Sequence, residues 1–588
     1  MKCLRASFAL HDPTVYGRVL PFVVLMGTSL SASDWPSWGG QLSRNMASET
    51  EKGLPAWYAP QGAATTNPAE MKNIKWAAKL GAVTCGSPVV SQGRVFIGTK
   101  GGSNDIGVLL CFDEPTGREL GQFIFRKPRT RGEHSGEYGA CSTPTVEGDR
   151  LYVVSPYAEA MCINVKSWLA SQAAPGADDS DRHIVWKYDM AEKLRVEQHH
   201  TASCGPLVFG DFVYVCTGNG RFKDKTRPLY PLTPSLIAFH KQTGQLVARD
   251  DEQIGEQLWR GQWSSPSLGM VNGKAQVFFA TGNGLCYGFE SVDPAAPVAP
   301  DKWITESLRG PIVYFIDVEG KDIAGLTPAQ YAEANHLPPA EAKPALPLEF
   351  RYSIKMPTTT PMGSVPSAKV PDVPILKKIW WFDCLPPEYR NAPFYSTGNN
   401  GDGKIHPCDI IATPVFYRNR VYVAIGGDPA HGSRRSRGRL VCIDASKTGD
   451  VTSSGLIWSY DKLNATLTTV GIVDGLLFVM DEASVVHCLD ADTGQLCWTY
   501  TYKGGGLMAP PLFAADGKVF VGKSILAAGR TLKVLGTIES STTTSCSTPC
   551  VANGTLYMVY GNRLLAVCDK GDKPSTPASN DVAKGNKK

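Results

Sequence analysis

One phrase recurs along this chain. Its fullest copy runs from 484 to 500 (SVVHCLDADTGQLCWTY), two apolar runs joined by Asp490 and a Thr493-Gly494 turn and closed by Trp498. Ahead of such phrases stands a Ser/Thr-Pro or a relative of it, then an apolar triplet, a turn and a second run of alternating large apolar residues. The copies begin at residues 86 (GSPVVSQGRVFIG), 142 (STPTVEGDRLYVV), 205 (GPLVFGDFVYVC), 265 (SPSLGMVNGKAQVFFA), 413 (TPVFYRNRVYVAIG), 469 (TVGIVDGLLFVM), 510 (PPLFAADGKVFVG) and 548 (TPCVANGTLYMV). In the later copies Gly475, Gly517 and Gly554 recur about 40 residues apart, the length of a four-stranded blade. Alternation with period two turns one face of each strand into a core, and a Gly or Asn-Gly between runs supplies the positive φ of a hairpin. Eight such copies predict an all-β chain folded as an eight-bladed β-propeller.

A third strand follows each inner hairpin, as at 109–113, 161–164, 236–240, 286–290, 440–444, 487–490 and 564–569, and outer strands such as 184–189, 379–383 and 457–461 complete the blades. The last copy lacks an outer strand after Asp569, and a spare one, 74–80 (IKWAAKL), precedes the first copy. Moving the spare strand to the last blade closes the ring without an exposed edge, so the spacing predicts permuted closure. The 59 Gly and 42 Pro among 588 residues suit many short strands and turns. A formal net charge of +4 with no basic stripe argues against a nucleic-acid partner.

Residues 1–33 read as a secretory signal: Lys2, Arg5 and Arg18 precede the apolar run 19–30, and Ser31-Ala32-Ser33 offers small residues for cleavage. The run is too short to span a bilayer comfortably, and no later segment is suited to span one. The chain is therefore expected to be exported, to the periplasm, the cell envelope or the medium. Residues 34–70 form an aromatic, Gly-rich extension expected to pack on the propeller, which occupies 71–571. A Pro- and Ala-rich insertion at about 291–376 interrupts blade four. Within it, residues 327–337 predict a short helix with Thr327 as N-cap, Pro328 at the first position and Gln330 closing a capping box. Residues 572–588 are almost free of apolar side chains and are expected to be disordered.

Sixteen cysteines in an exported chain suggest disulfides, but their positions form columns. Cys111, Cys162, Cys286, Cys442, Cys488 and Cys568 fall on third strands and read as small core residues. Cys85, Cys141, Cys204 and Cys546 stand just before the inner strands, where pairing, metal binding and packing all stay open.

Polar residues gather on the loops leading into the inner strands, at one mouth of the ring. They are Arg129, Arg131, Glu133, His134 and Tyr138; Arg195, Glu197, His199 and His200; Trp259, Arg260, Gln262 and Trp263; and His406, Cys408 and Asp409. Such loops are where propellers place sites. Arg131, His134, His199, Arg260, Trp263 and His406 combine cations and aromatics and are the candidate ligand-binding set, with a solvated rim as the plainer reading. The spacing of His199, His200, Cys204, His406 and Cys408 matches no zinc pattern, and residues 399–405 lack the alternate carboxylates of a calcium loop, so no metal site is assigned.

The string 488–498 (CLDADTGQLCW) resembles the tryptophan-docking repeat of the pyrroloquinoline-quinone (PQQ) propeller family, with Asp490, Gly494 and Trp498 matching and Cys488 and Gln495 replacing Ala and Lys. Weaker copies lie at 111–121, 238–248 and 442–449, and the opening 34–40 (DWPSWGG) resembles exported members of unassigned function. The resemblance implies the propeller fold from about 34 to 571. For the dehydrogenase branch it also implies PQQ with calcium as cofactor, yet the adjacent Cys-Cys pair, the Glu/Asn/Asp calcium ligands and a haem-attaching Cys-x-x-Cys-His cannot be placed here. Another branch, the outer-membrane assembly propeller lipoprotein, binds partners without chemistry. Two expectations follow: an exported binding or scaffolding propeller whose partner is an envelope protein or a small carboxylated ligand, or a quinone-dependent oxidoreductase with Arg and His at the mouth on the carboxylates of PQQ.

Overall fold

The computed structural model describes residues 33–60, 71–82, 84–102, 106–128, 138–171, 180–196, 198, 201–220, 230, 232–258, 261–294, 302–307, 367–387, 409–426, 437–503, 512–538 and 547–572. The expected signal up to residue 32, the expected helix at 327–337 and the tail from 573 fall outside them.

Each copy of the repeat folds into one antiparallel meander, and the eight together form an eight-bladed β-propeller. Blade one, for example, orders Val89–Ser91, Arg94–Lys100, Ile106–Asp113 and Glu119–Arg126 from the axis outward. Blade eight takes its inner three strands, Cys550–Ala552, Thr555–Tyr560 and Arg563–Val567, from the end of the chain and its outer strand, Ile74–Lys79, from the beginning. Ile74 lies opposite Val567 and Lys79 opposite Arg563, so the expected permuted closure is present. In blade four the outer strand Lys378–Asp383 pairs with Leu285–Glu290 across the insertion. Within the insertion, Trp303–Ser307 and Ser367–Pro371 form a separate two-stranded antiparallel sheet. Arg249, buried at the outer edge of blade three, clamps its base by pairing with Glu306 and donating to the Pro371 carbonyl at 3.0 Å.

Four outer strands carry a docking tryptophan whose indole reaches the next blade, whereas Trp380, at the same place in blade four, donates to Gln276 of its own blade at 3.2 Å. The Trp76 indole donates to the Glu114 carbonyl at 2.8 Å, Trp186 to Lys241 at 2.9 Å, Trp458 to Ala491 at 3.2 Å and Trp498 to Gly529 at 2.7 Å. Blade eight is thereby latched to blade one, two to three, five to six and six to seven. The turn glycine receiving three of these rings is required twice over. Gly117, Gly244 and Gly494 all have φ near +71°, and a Cβ there would stand about 2.4 to 2.6 Å from the ring of Trp76, Trp186 or Trp458. Asp490, Thr493 and Gly494 thus receive Trp458 from behind, while Trp498, in the same phrase, serves the interface ahead. Blade one has Gly121 where the motif has Trp. There Trp168, from the helix Val165–Ser171 in blade two, fills the space against Phe96 and Phe123 and donates to the Gln122 carbonyl at 3.1 Å.

A second set of joints lies on the inside. In five blades the Ser or Thr that heads the inner strand accepts a hydrogen bond from the backbone N–H at the matching place in a neighbouring blade: Thr548 N–H to Ser87 Oγ, Ser87 N–H to Thr143 Oγ1, Gly205 N–H to Ser265 Oγ, Ser265 N–H to Thr413 Oγ1, and Thr413 N–H to Thr469 Oγ1. This hydroxyl belt explains the Ser/Thr-Pro signature. Blade three has Gly205 there, which donates through its N–H but has no hydroxyl to accept with.

Residues 34–54 travel once round the inside of the ring. Trp35 exchanges both backbone hydrogen bonds with Val90 of blade one, and Pro36 accepts from Val146 of blade two. Leu42 accepts from Leu268 of blade four, Ser43 from Phe416 of blade five, and Met46 donates to Val470 of blade six and accepts from Ala514 of blade seven. Ala47–Ser48 adds a parallel strand to blade seven, and Glu51 accepts from Asn553 and Gly554 of blade eight. Four of the contacted residues, Val90, Val146, Leu268 and Phe416, each lie two positions after the Pro of the inner strand. The arm therefore sits beyond the belt, on the side of the hairpin turns.

Candidate functional site

The lead-in loops open on the opposite side, and the structure describes only part of them. Arg131, His134, His199, Arg260 and His406 lie outside the described residues. Trp263 is partly buried, and its carbonyl accepts from Ser203 Oγ at 2.9 Å, which ties the lead-in of blade four to that of blade three. Arg195, the one described cation of the expected cluster, is exposed with φ +58° and stands 5.9 Å from the Tyr230 ring centre. Tyr138 is also exposed, whereas Gln262 and Asp409 are buried.

What the structure gathers between blades three and four is a group of amides. Gln262 Nε2 donates to the Asn219 carbonyl at 3.2 Å and to Ser235 Oγ at 2.7 Å, and Asn219 bridges to Gln198. Gln262 Oε1 and both amide atoms of Gln198 are buried with no hydrogen-bond partner, the condition that an ordered water or a ligand group relieves. Beneath them Asp250 accepts 2.6 Å bonds from the N–H groups of Ser235 and Leu236, and burial pushes its carboxyl up to about 6. Sequence reasoning named Gln262 but missed Gln198, Asn219 and Asp250, because isolated amides and a lone Asp carry no spacing signal.

A third cluster was equally illegible. His487 is buried on the third strand of blade six, with Nε2 3.2 Å from Asp481 Oδ2 and Nδ1 3.0 Å from the Tyr460 hydroxyl. Burial raises the Asp481 carboxyl, but hydrogen bonds from His487 and Asn464 outweigh it and hold the group below its ordinary range; burial, then Asp481, raise the Tyr460 phenol. Asp481 also accepts from the N–H groups of Ala483 and Val485, so the network holds the turn at that mouth in place. No three His, Cys, Asp or Glu residues converge to hold a metal ion among the described residues.

Below the belt the axis is filled by the arm. Arg44, held at φ +59° and 1% exposed, donates to the carbonyls of Trp38, Gly205, Pro206 and Pro266 at 2.5 to 3.2 Å. Burial lowers its guanidinium to about 10. The Trp38 indole crosses from the backbone of Gly205 in blade three to Thr413 Oγ1 in blade five, a 3.1 Å hydrogen bond, and the Trp35 ring meets Phe513 of blade seven at 5.1 Å. Cys204 packs in this inner shell. Its Sγ accepts from the Cys216 N–H at 3.2 Å, as Ser142 Oγ does from Val154 N–H in blade two, and burial pushes the thiol up to about 12. PQQ carries three carboxylates, and among the described residues the axis offers them one buried guanidinium whose donors already face carbonyls. The mouth cations expected to hold that group lie outside the described residues.

A family model described as outer membrane protein assembly factor BamB matches residues 27–287 and 436–537. The chain belongs to this family. Within the PQQ-like propeller family it shows two short stretches of similarity to curated enzymes: 34% identity over 95 residues to a 1-butanol dehydrogenase (cytochrome c) of Thauera butanivorans, and 34% over 74 residues to a quinohemoprotein alcohol dehydrogenase of Comamonas testosteroni. These cover 16% and 12% of this chain and only 13% and 10% of those enzymes. Similar solved structures include BamB from Moraxella catarrhalis, at 9% identity and TM-score 0.44 over 85% of this chain and 98% of that one. Another is the Comamonas testosteroni quinohemoprotein alcohol dehydrogenase, at 12% identity and TM-score 0.39 over 92% and 82%. No described helix is long and apolar enough to cross a membrane.

Proposed function

We propose that this protein is an exported binding or scaffolding propeller of the cell envelope, a self-filled ring whose lead-in mouth and blade-four insertion face an envelope protein. The observation that carries this reading is the occupied axis: residues 34–54 touch the inner strands around the whole ring, and Arg44 and Trp38 fill its centre. Filling the axis rigidifies the ring and leaves the rim as the surface open to a partner. Membership of the assembly-factor family supports the same reading, with export to the periplasm or outer envelope as its corollary.

The purified full chain should give no saturable absorbance or melting change on titration with PQQ and calcium. A photocrosslinker at Trp263 should join the chain to one discrete envelope protein in cells, whereas the same group at Ile457, exposed on the outer strand of blade five, should not. Saturable quinone binding with alcohol-dependent reduction of an added electron acceptor would replace this reading with the oxidoreductase one. Equal crosslinking from both positions would remove the mouth as a docking surface.

A further inference from the structure

The column of cysteines has a structural reason that singles out one blade. In every blade the pairing of third and outer strands slips by one residue, leaving a bulge residue just before the position of the docking tryptophan. A bulge sets two residues against one on the facing strand. The facing residues are Cys111, Cys162, Ala238, Gly288, Cys442, Cys488, Ile525 and Ala566, so Cys286 and Cys568 lie two residues away from the column the spacing suggested. The matching bulge residues are Leu120, Val185, Val247, Ile379, Ile457, Cys497, Leu535 and Lys75. Only blade six sets a cysteine against a cysteine.

The register sets these two residues against each other at that bulge. Cys488 is fully buried with Sγ 3.8 Å from the Gly529 carbonyl, and its thiol interacts with that of Cys497. Cys497 is partly exposed, and its Sγ lies 4.0 Å from Arg530 Nη1. Arg530 is fixed in turn by Asp490 at 2.6 Å. Cys497 is the solvent-reachable member of the pair and the one an oxidant meets first, and the buried thiol set against it is placed to resolve the oxidised product.

We propose that Cys497 and Cys488 form a peroxide-oxidisable dithiol that closes to a disulfide across the bulge of blade six. The Cys497 thiolate attacks a hydroperoxide oxygen, the O–O bond breaks, and the leaving oxygen takes a proton to depart as water or an alcohol. The Cys488 sulfur then attacks the sulfenic sulfur of Cys497, the S–O bond breaks, and the hydroxyl leaves as water with the Cys488 proton. Two thiols lose two electrons and the hydroperoxide gains them. The disulfide pins the third strand of blade six to the outer strand that carries Trp498, and so stiffens the element docked on Gly529 of blade seven.

The test is chemical and uses the full chain with hydrogen peroxide. Residues 463–503 hold both cysteines and no internal Lys or Arg, so one tryptic peptide reports the pair. After oxidation, denaturation and alkylation this peptide should be lighter by two hydrogens and carry no alkyl group. The oxidised chain should melt ~2 °C higher, a shift abolished by Cys497→Ser. In Cys488→Ala, a sulfenate-trapping dione should label Cys497, while Cys488 in Cys497→Ser should stay unlabelled. Full alkylation of both cysteines after peroxide, or pairing of either with a different cysteine, overturns the assignment. None of these readouts depends on whether the rim binds a partner.

Discussion

The inner and outer joints of the ring solve one problem with different chemistry. Outside, an indole over a turn glycine joins two blades by apolar stacking plus one hydrogen bond, and the joint tolerates substitution: where Gly121 replaces the tryptophan, Trp168 arrives from another element. Inside, strands converge on an axis where every unpaired N–H and C=O must find a partner or be left buried and unsatisfied. The belt hydroxyls satisfy one row and the arm satisfies the next, so each inner contact is shared with its neighbours round the axis. The outer joints are therefore modular and the inner ones collective, so damage inside should spread round the ring while damage outside stays at one interface.

Four perturbations separate the two kinds of joint. Deleting residues 34–54 while keeping the strand at 74–79 should have the largest effect, replacing the single cooperative denaturant transition with a broad or earlier one. A deletion chain that unfolds like the parent would make the arm an ornament. Arg44→Met leaves four carbonyls without their donor and should lower stability by about 3 to 5 kcal/mol, with loss of cooperativity as its mark. Trp498→Ala should cost about 3 to 4 kcal/mol but keep a sharp transition; a change below about 1 kcal/mol would show that the latch carries little. Thr413→Val strands the Ser265 N–H and the Trp38 indole N–H, and should cost about 1 to 3 kcal/mol.

A smaller, pH-dependent effect belongs to Asp250. Its folded-state carboxyl is raised to about 6 from 3.8, so the unfolded state loses its proton first. The stabilising preference for the protonated form is complete below about pH 4 and is lost as pH rises through 6. Asp250→Asn should flatten the stability profile between pH 4 and 7, by on the order of 1 to 3 kcal/mol, in chemical unfolding followed at several pH values. An unchanged profile would place the titration elsewhere.

Much of the fold could be read from residue order because a propeller repeats its physics. Period-two alternation, turn glycines and the missing outer strand of the last copy are local signals, and they sufficed for blade count and permuted closure. Trp498 could be recognised as a latch from its own phrase. Its partner could not, since the receiving carbonyl at Gly529 belongs to the next repeat. The expected cationic mouth named residue types suited to a carboxylated ligand, but Arg131, His134, His199, Arg260 and His406 lie outside the described residues. The amides of Gln198 and Gln262 and the His487 network became visible only when loops far apart in sequence were brought together.

By itself the sequence determined the strands, the number of blades and how the ring closes, because hydrophobic period and turn chemistry act over a few residues at a time. Tertiary structure alone decided what fills the axis and which groups face one another there. The path of residues 34–54, the four carbonyls on Arg44 and the meeting of Cys488 with Cys497 at a bulge depend on backbone groups and one-residue slips in register, which leave no periodic trace in the order of side chains.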